Sequence, residues 1–284
     1  MTGQSLSLTL RTYLRHPEPG IECVESRFHH AEWTVEVPAQ QAAVVLVDVW
    51  DTHAIASHAA RTAEIARTKI APVLAAGRAA GVAVIHAPSP VQARRYAQWV
   101  RCASEDDACA PAISAWPFLE PGDWPPPAFR RREGEFRQFR RPVPPAEPAL
   151  RAEREARRID PSVEPQADDC VVATGAQLHR LCEDRGILHL FYAGFATNIC
   201  IPFKDYGVRA FSARGYNVML LRDCTTAIEG HDTVAELRGT QQAIRELEMA
   251  GLASTLTSDD FIAACAAAAT TATTATTARA KQPH

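Results

Sequence analysis

Apolar and polar residues alternate at Leu6, Leu8 and Leu10 and again across Trp33–Val37. A period of two predicts two strands, each buried on one side, that pair as an antiparallel edge. Pro17, Pro19 and Gly20 between them predict a loop. The pattern then changes. Ala42-Ala-Val-Val-Leu-Val47 is continuously apolar and valine-rich, as in a parallel strand buried on both faces. It ends at Asp48. From His58 to Ala80, Ile65, Ile70, Val73 and Leu74 fall on one helical face, and Gly81 suits the C-cap. Val82–His86 predicts the next buried strand, closed by Pro88-Ser-Pro90.

The same alternation resumes later. Cys170–Val172 predicts a strand, Ala176–Arg185 a helix stopped by Gly186, and Ile187–Ala193 a strand. A turn over Gly194–Asn198 leads into a helix from Cys200 to Arg214, capped by Gly215. Tyr216–Leu221 predicts a strand, 231–250 a helix, Ser254–Leu256 a short strand and 259–268 a short helix. Alternating strands and helices predict an α/β fold: three layers, a mainly parallel sheet with helices on both faces, and right-handed crossovers. In such sheets ligands sit beyond the carboxyl ends of the strands.

Between 111 and 165 the character differs. Twelve of the 20 prolines fall there, and ten arginines face five glutamates between Arg130 and Arg158. This predicts an insertion of about 91–165 with one short helix near 149–158. It reads either as a solvated loop or as a lid or oligomer arm over the site. Trp99, Trp116 and Trp124, with Phe129, Phe136 and Phe139, can anchor it or line a pocket. The chain therefore divides into an N-terminal strand extension (1–40), one α/β domain (41–260) and an Ala/Thr-rich tail (261–284) expected to be disordered.

Composition narrows the function. In 284 residues, 30 basic and 33 acidic side chains give a net charge of −3, which argues against general nucleic-acid binding. No apolar run reaches the roughly 18 residues of a membrane span. The first twenty residues carry no apolar segment of signal-peptide type, so a cytoplasmic protein with reduced cysteines is expected. None of the eight cysteines forms a CxxC pair. After Asp48 comes Val-Trp-Asp and not a glycine-rich phosphate loop, which excludes a nicotinamide-dependent oxidoreductase.

The chemistry centres on Cys200. It follows a strand and a turn at a predicted helix start, where unpaired N–H groups favour a thiolate and can hold an oxyanion. Asp48, at the end of another strand, can take the thiol proton. Trp50, Asp51, His53 and His86 stand where strand ends meet, as does Asn198 in the turn before Cys200. All five are candidate pocket residues. Asp51-x-His53 has ligand-like spacing, but no metal and no cofactor is expected.

Val45-Leu-Val-Asp48 with its following helix and strand resembles the opening of the isochorismatase-like cysteine hydrolases. So does Gly194-Phe-Ala-Thr197-Asn-Ile-Cys200, followed by Gly207-Val-Arg-Ala210, Gly215-Tyr-Asn-Val218 and Arg222-Asp223. The resemblance covers about 42–90 and 166–230. It implies six parallel strands in the order 3-2-1-4-5-6 and an Asp–Lys–Cys triad cleaving a small amide, ureido or related C–N bond. It also implies a cis peptide at Ala196-Thr197, oxyanion donors from Ala196 or Thr197 and from Cys200, and assembly as a homo-oligomer. Asp48 and Cys200 match two members of the triad. The lysine does not: Val171-Val-Ala-Thr174 stands in its place, and no lysine lies between 70 and 203. Lys204, four residues beyond Cys200, is expected to point away along a continuous helix. The missing lysine motivates an alternative, a catalytically impaired relative that binds a partner through the insertion.

Overall fold

The computed structural model describes residues 4–102, 124–142 and 147–280. Parts of the predicted insertion, Trp116 among them, and the last four residues lie outside the described residues.

Eight strands form one sheet: β1 (Ser5–Leu14), β2 (His29–Pro38), β3 (Ala42–Val47), β4 (Ala83–Ala87), β5 (Cys170–Val171), β6 (His189–Phe195), β7 (Asn217–Thr226) and β8 (Ser254–Leu256). Their spatial order is β2-β1-β8-β7-β6-β3-β4-β5. The last six are parallel, and counted among themselves they run 3-2-1-4-5-6. The N-terminal pair adds two antiparallel strands at the β8 edge, with Leu8 opposite Val35 and Arg11 opposite Thr255.

The helices are α1 (Ala56–Ile65), α2 (Ala71–Ala79), α3 (Pro90–Ala93), α4 (Ala97–Cys102), α5 (Pro127–Arg130), α6 (Glu147–Ala156), α7 (Gly175–Arg185), α8 (Cys200–Phe203), α9 (Val208–Ala213), α10 (Arg238–Met249) and α11 (Ser258–Ala280). A π-helical turn, Ala66–Ile70, joins α1 to α2. The core divides between the two faces of the sheet. Ile70, Val73, Leu74, Phe191 and Phe261 pack on one face; Leu178, Cys182, Tyr192, Tyr206 and Phe211 pack on the other. Each residue of β3 is buried, as its unbroken apolar run requires.

Two predicted segments come out differently. The helix expected over 259–268 is longer, because α11 runs from Ser258 to Ala280. Thr257 and Asp260 exchange hydrogen bonds in a capping box at its start. Alanine is the strongest helix former, and Phe261, Ala264, Cys265 and Ala268 lay one stripe on the core. The predicted helix from Cys200 to Arg214 is two pieces, α8 and α9, with Lys204 in an extended conformation between them.

Candidate active site

The carboxyl ends of β3, β4 and β6 lie level, since Val47 is opposite both Ala87 and Gly194. Asp48 and the turn to Cys200 therefore leave the sheet side by side. Glycine is required at 194. Its φ is +111°, and a Cβ there would lie 2.1 Å from the Val47 carbonyl oxygen. The cis peptide falls at Phe195–Ala196, one bond earlier than the resemblance implies. The Ala196 carbonyl then accepts from the N–H groups of both Ile199 and Ile201, which fixes the turn.

Cys200, Asp48 and Lys204 meet in a cavity of about 710 Å³. The Cys200 thiol donates to Asp48, and the Ala196 N–H bonds to its sulfur. Burial pushes the thiol well above its ordinary value, and the Asp48 charge adds to this. Lys204 pulls the other way. The thiol thus rests protonated, contrary to the thiolate expected from a helix start; α8 is only four residues long.

Lys204 corrects the sequence reading in a second respect. It is 7% exposed, and its Nζ lies 3.6 Å from Asp48 Oδ2 and donates to Ser89 Oγ at 2.9 Å. The break after Phe203 swings this side chain back into the cavity instead of onward along a helix. Tyr206, on the same extended link, reaches Asp48 Oδ1 from its hydroxyl at 3.5 Å. The signals for the break are Pro202, two residues beyond Cys200, and Gly207. A Cβ on Gly207 would lie 2.5 Å from the Ile201 carbonyl oxygen. Lys204, Tyr206 and Ser89 are thus site residues that periodicity concealed. At 171–174 the protein holds buried Val171, Val172 and Ala173, with no cation.

The other expected site residues divide. Trp50 and His53 line the cavity. Asp51 does not; its carboxylate accepts the Arg158 N–H and its N–H donates to the Arg158 carbonyl, tying the end of the insertion to the β3 exit. His86 also lies elsewhere. It is fully buried with Nε2 3.3 Å from Asp169, which in turn holds Arg78 through two bonds. Asn198 pairs both ways with the backbone of Ile228, a wall residue, and so acts on the cavity through it. The Thr197 N–H is taken by the Thr226 carbonyl and so cannot serve an oxyanion. The Cys200 N–H makes no hydrogen bond to another backbone group among the described residues and lies on the same residue as the sulfur.

From the insertion, α6 and the residue that follows it bring Arg151, Arg154 and Arg157 to the cavity, so this part of it covers the site. Arg95 and Gln92 hold the helix end by donating to the carbonyls of residues 154–157. Trp99 anchors the insertion to the body through Gln177. Among the described residues no group of three or more His, Cys, Asp or Glu is placed to hold a metal, and no helix is long and apolar enough to cross a membrane.

A family model of the isochorismatase domain matches residues 42–255. Comparison with curated proteins finds no match. Among solved structures, the chain is similar to a cysteine hydrolase from Pseudomonas syringae pv. phaseolicola 1448A. Identity is 17%, covering 82% of this chain and 95% of that one, with a TM-score of 0.50. An isochorismatase family protein from Burkholderia thailandensis is 19% identical, covering 80% and 96% of the two chains with a TM-score of 0.46. For N-carbamoylsarcosine amidase from Thermoplasma acidophilum the values are 14%, 77%, 97% and 0.41.

Proposed function

The chain belongs to the isochorismatase family, and from that premise we propose that it is a cysteine hydrolase of a small amide, ureido or related C–N bond. The observation that carries this reading is the meeting of Cys200, Asp48 and Lys204 in one cavity. In the proposed reaction Cys200 Sγ attacks the carbonyl carbon as its proton passes to Asp48. The Cys200 N–H supports the oxyanion. Asp48 then protonates the leaving nitrogen, the C–N bond breaks, and a thioester remains. Water attacks it, giving a proton to Asp48. The C–S bond breaks, and Asp48 returns the proton to sulfur.

Lys204 keeps positive charge beside Asp48 and Cys200 while negative charge moves between them. It does so from the chain after the nucleophile, and its presence removes the motive for reading the protein as an impaired relative. A panel of small amides and ureides, assayed for ammonia or amine release, tests the proposal. Turnover is expected in the wild type and none in Cys200→Ala, with thermal unfolding unchanged. Turnover retained by that variant overturns the assignment.

A further inference from the structure

The cavity around Cys200 is larger than its chemistry needs. At about 710 Å³ it falls among pockets of roughly 300–1,000 Å³ that enclose whole small molecules, well beyond a bare amide or ureide group. The rest of the substrate therefore meets the walls. Trp50, Val91, Ile199 and Ile228 supply apolar surface, and the insertion supplies the guanidinium groups of Arg151, Arg154 and Arg157.

The charges on these walls do not balance. Two pairs are closed: Lys204 faces Asp48, and Arg157 is held by both carboxylate oxygens of Glu153. Arg151 and Arg154 remain, with Glu155 as the opposing carboxylate on the lining. Arg154 stands in the last turn of α6, where a cation complements the carbonyl end of the helix. That account does not reach Arg151, which lies mid-helix. Arg151 is three residues from Arg154, on the same helix face, where like charges repel. Among the described residues it makes no hydrogen bond or ion pair, although Glu155 follows it by one turn. It is exposed, so a molecule entering the cavity can reach it. The end of the helix that carries these groups is fixed to the body. Gln92 and Arg95 donate to the carbonyls of residues 154–157, and the Tyr96 hydroxyl accepts the Ile159 N–H. An anion beside Arg151 and Arg154 offsets their repulsion, and the planar guanidinium fork matches a carboxylate with two parallel bonds.

We infer that the substrate of this cavity is an amide or ureide that also bears a carboxylate, and that Arg151 is the specificity-determining residue that receives it. Arg154 adds positive charge beside it. The inference rests on the reading of the cavity as the substrate site of Cys200. It assigns the choice between acids and their neutral isosteres to the insertion and not to the sheet. The net charge of the chain is −3, which disfavours anions in general, so a preference for the acid is a property of this wall.

N-iodoacetyl ω-amino acids of several spacer lengths, each with the matching ω-carboxamide, test it. Carboxylate and carboxamide are alike in size, and each reagent alkylates a thiol by displacement of iodide. Rates on Cys200, followed by mass spectrometry of its peptide and divided by the rate on 2-mercaptoethanol, are to be measured in the wild type, Arg151→Gln and Arg137→Gln. Glutamine keeps helix propensity, so the fold is expected to be unaffected. The wild type is expected to favour the carboxylate at one spacer length or more by about fivefold, the size of one partly exposed ion pair. Arg151→Gln should lose most of that preference. Arg137→Gln, an arginine of the same insertion outside the cavity lining, should keep it. No preference at any length, a preference that survives in Arg151→Gln, or an equal loss in Arg137→Gln overturns the inference. Failure of the underlying reading shows separately, as a rate with the carboxamides that does not respond to Asp48→Asn.

Discussion

At the scale of single residues, the buried neighbours of Cys200 pull on its proton in opposite directions. Burial and Asp48 keep the thiol protonated, while Lys204 and the Ala196 N–H favour the thiolate. Asp48→Asn removes the opposing charge and leaves Lys204. Alkylation of Cys200 by iodoacetamide at neutral pH should then speed up by about tenfold for each unit the thiol falls. Amide turnover should be lost, because nothing carries the proton to the leaving nitrogen. An alkylation rate that does not respond to Asp48→Asn contradicts the assignment. Lys204→Met should act in the reverse sense. It slows alkylation and, by leaving Asp48 buried without its cation, lowers stability by about 3 kcal/mol in urea unfolding. Lys204→Arg should restore the stability more than the turnover, because arginine keeps the charge but not the compact ammonium that reaches Ser89. Asp48 and Cys200 were legible from strand ends and motif spacing. Lys204 was not, because apolar periodicity carries one helix through 200–214, and only Pro202 and Gly207 mark where it stops.

Elements bring these residues together through close backbone contact, as where Gly194 of β6 lies against Val47 of β3. Gly194→Ala puts a methyl group into the Val47 carbonyl at a φ that alanine resists. The strands must part, and with them Asp48 and Cys200. A loss of about 3 kcal/mol or more is expected, with turnover falling even where the variant still folds. Circular dichroism and urea unfolding beside the activity assay check this; a wild-type midpoint would show that the contact is not structural. Strands buried on both faces were the most legible part of the chain, since β3 is an unbroken apolar run and β4 and β6 each carry a single histidine, His86 and His189, among apolar residues. β5 was read too, over Cys170–Val172, though it has only two residues and Asp169 beside it bonds to His86 and Arg78. The partners of His86 explain why it left the predicted pocket: a side chain at the carboxyl end of a strand can face the packed layer as readily as the cleft, and residue order alone does not separate the two.

Across the whole molecule, the buried ionisable groups set how stability responds to acid, in two adjoining windows. His58 is lowered to about 4 from its ordinary 6.5. As pH falls below 6.5 the unfolded chain takes up a proton that the folded chain refuses, so stability drops until the folded ring also protonates near pH 4. Asp169 also costs stability on acidification, but in a lower window. Burial raises its carboxyl, but the bonds from His86, Arg78 and the Gln166 N–H outweigh burial and hold it far below the usual range. Its contribution is intact above pH 3.8 and is lost only below. Between pH 7 and pH 5, therefore, Asp169 is silent while His58 titrates. His58 should account for at most about 2 kcal/mol of lost stability over that interval. His53, His86 and His189, also lowered by burial, add to the same slope. Urea unfolding at pH 7 and pH 5 should show His58→Phe losing less stability on acidification than the wild type, by up to that amount. Equal losses in the two proteins would mean that His58 takes up its proton in the fold as easily as out of it.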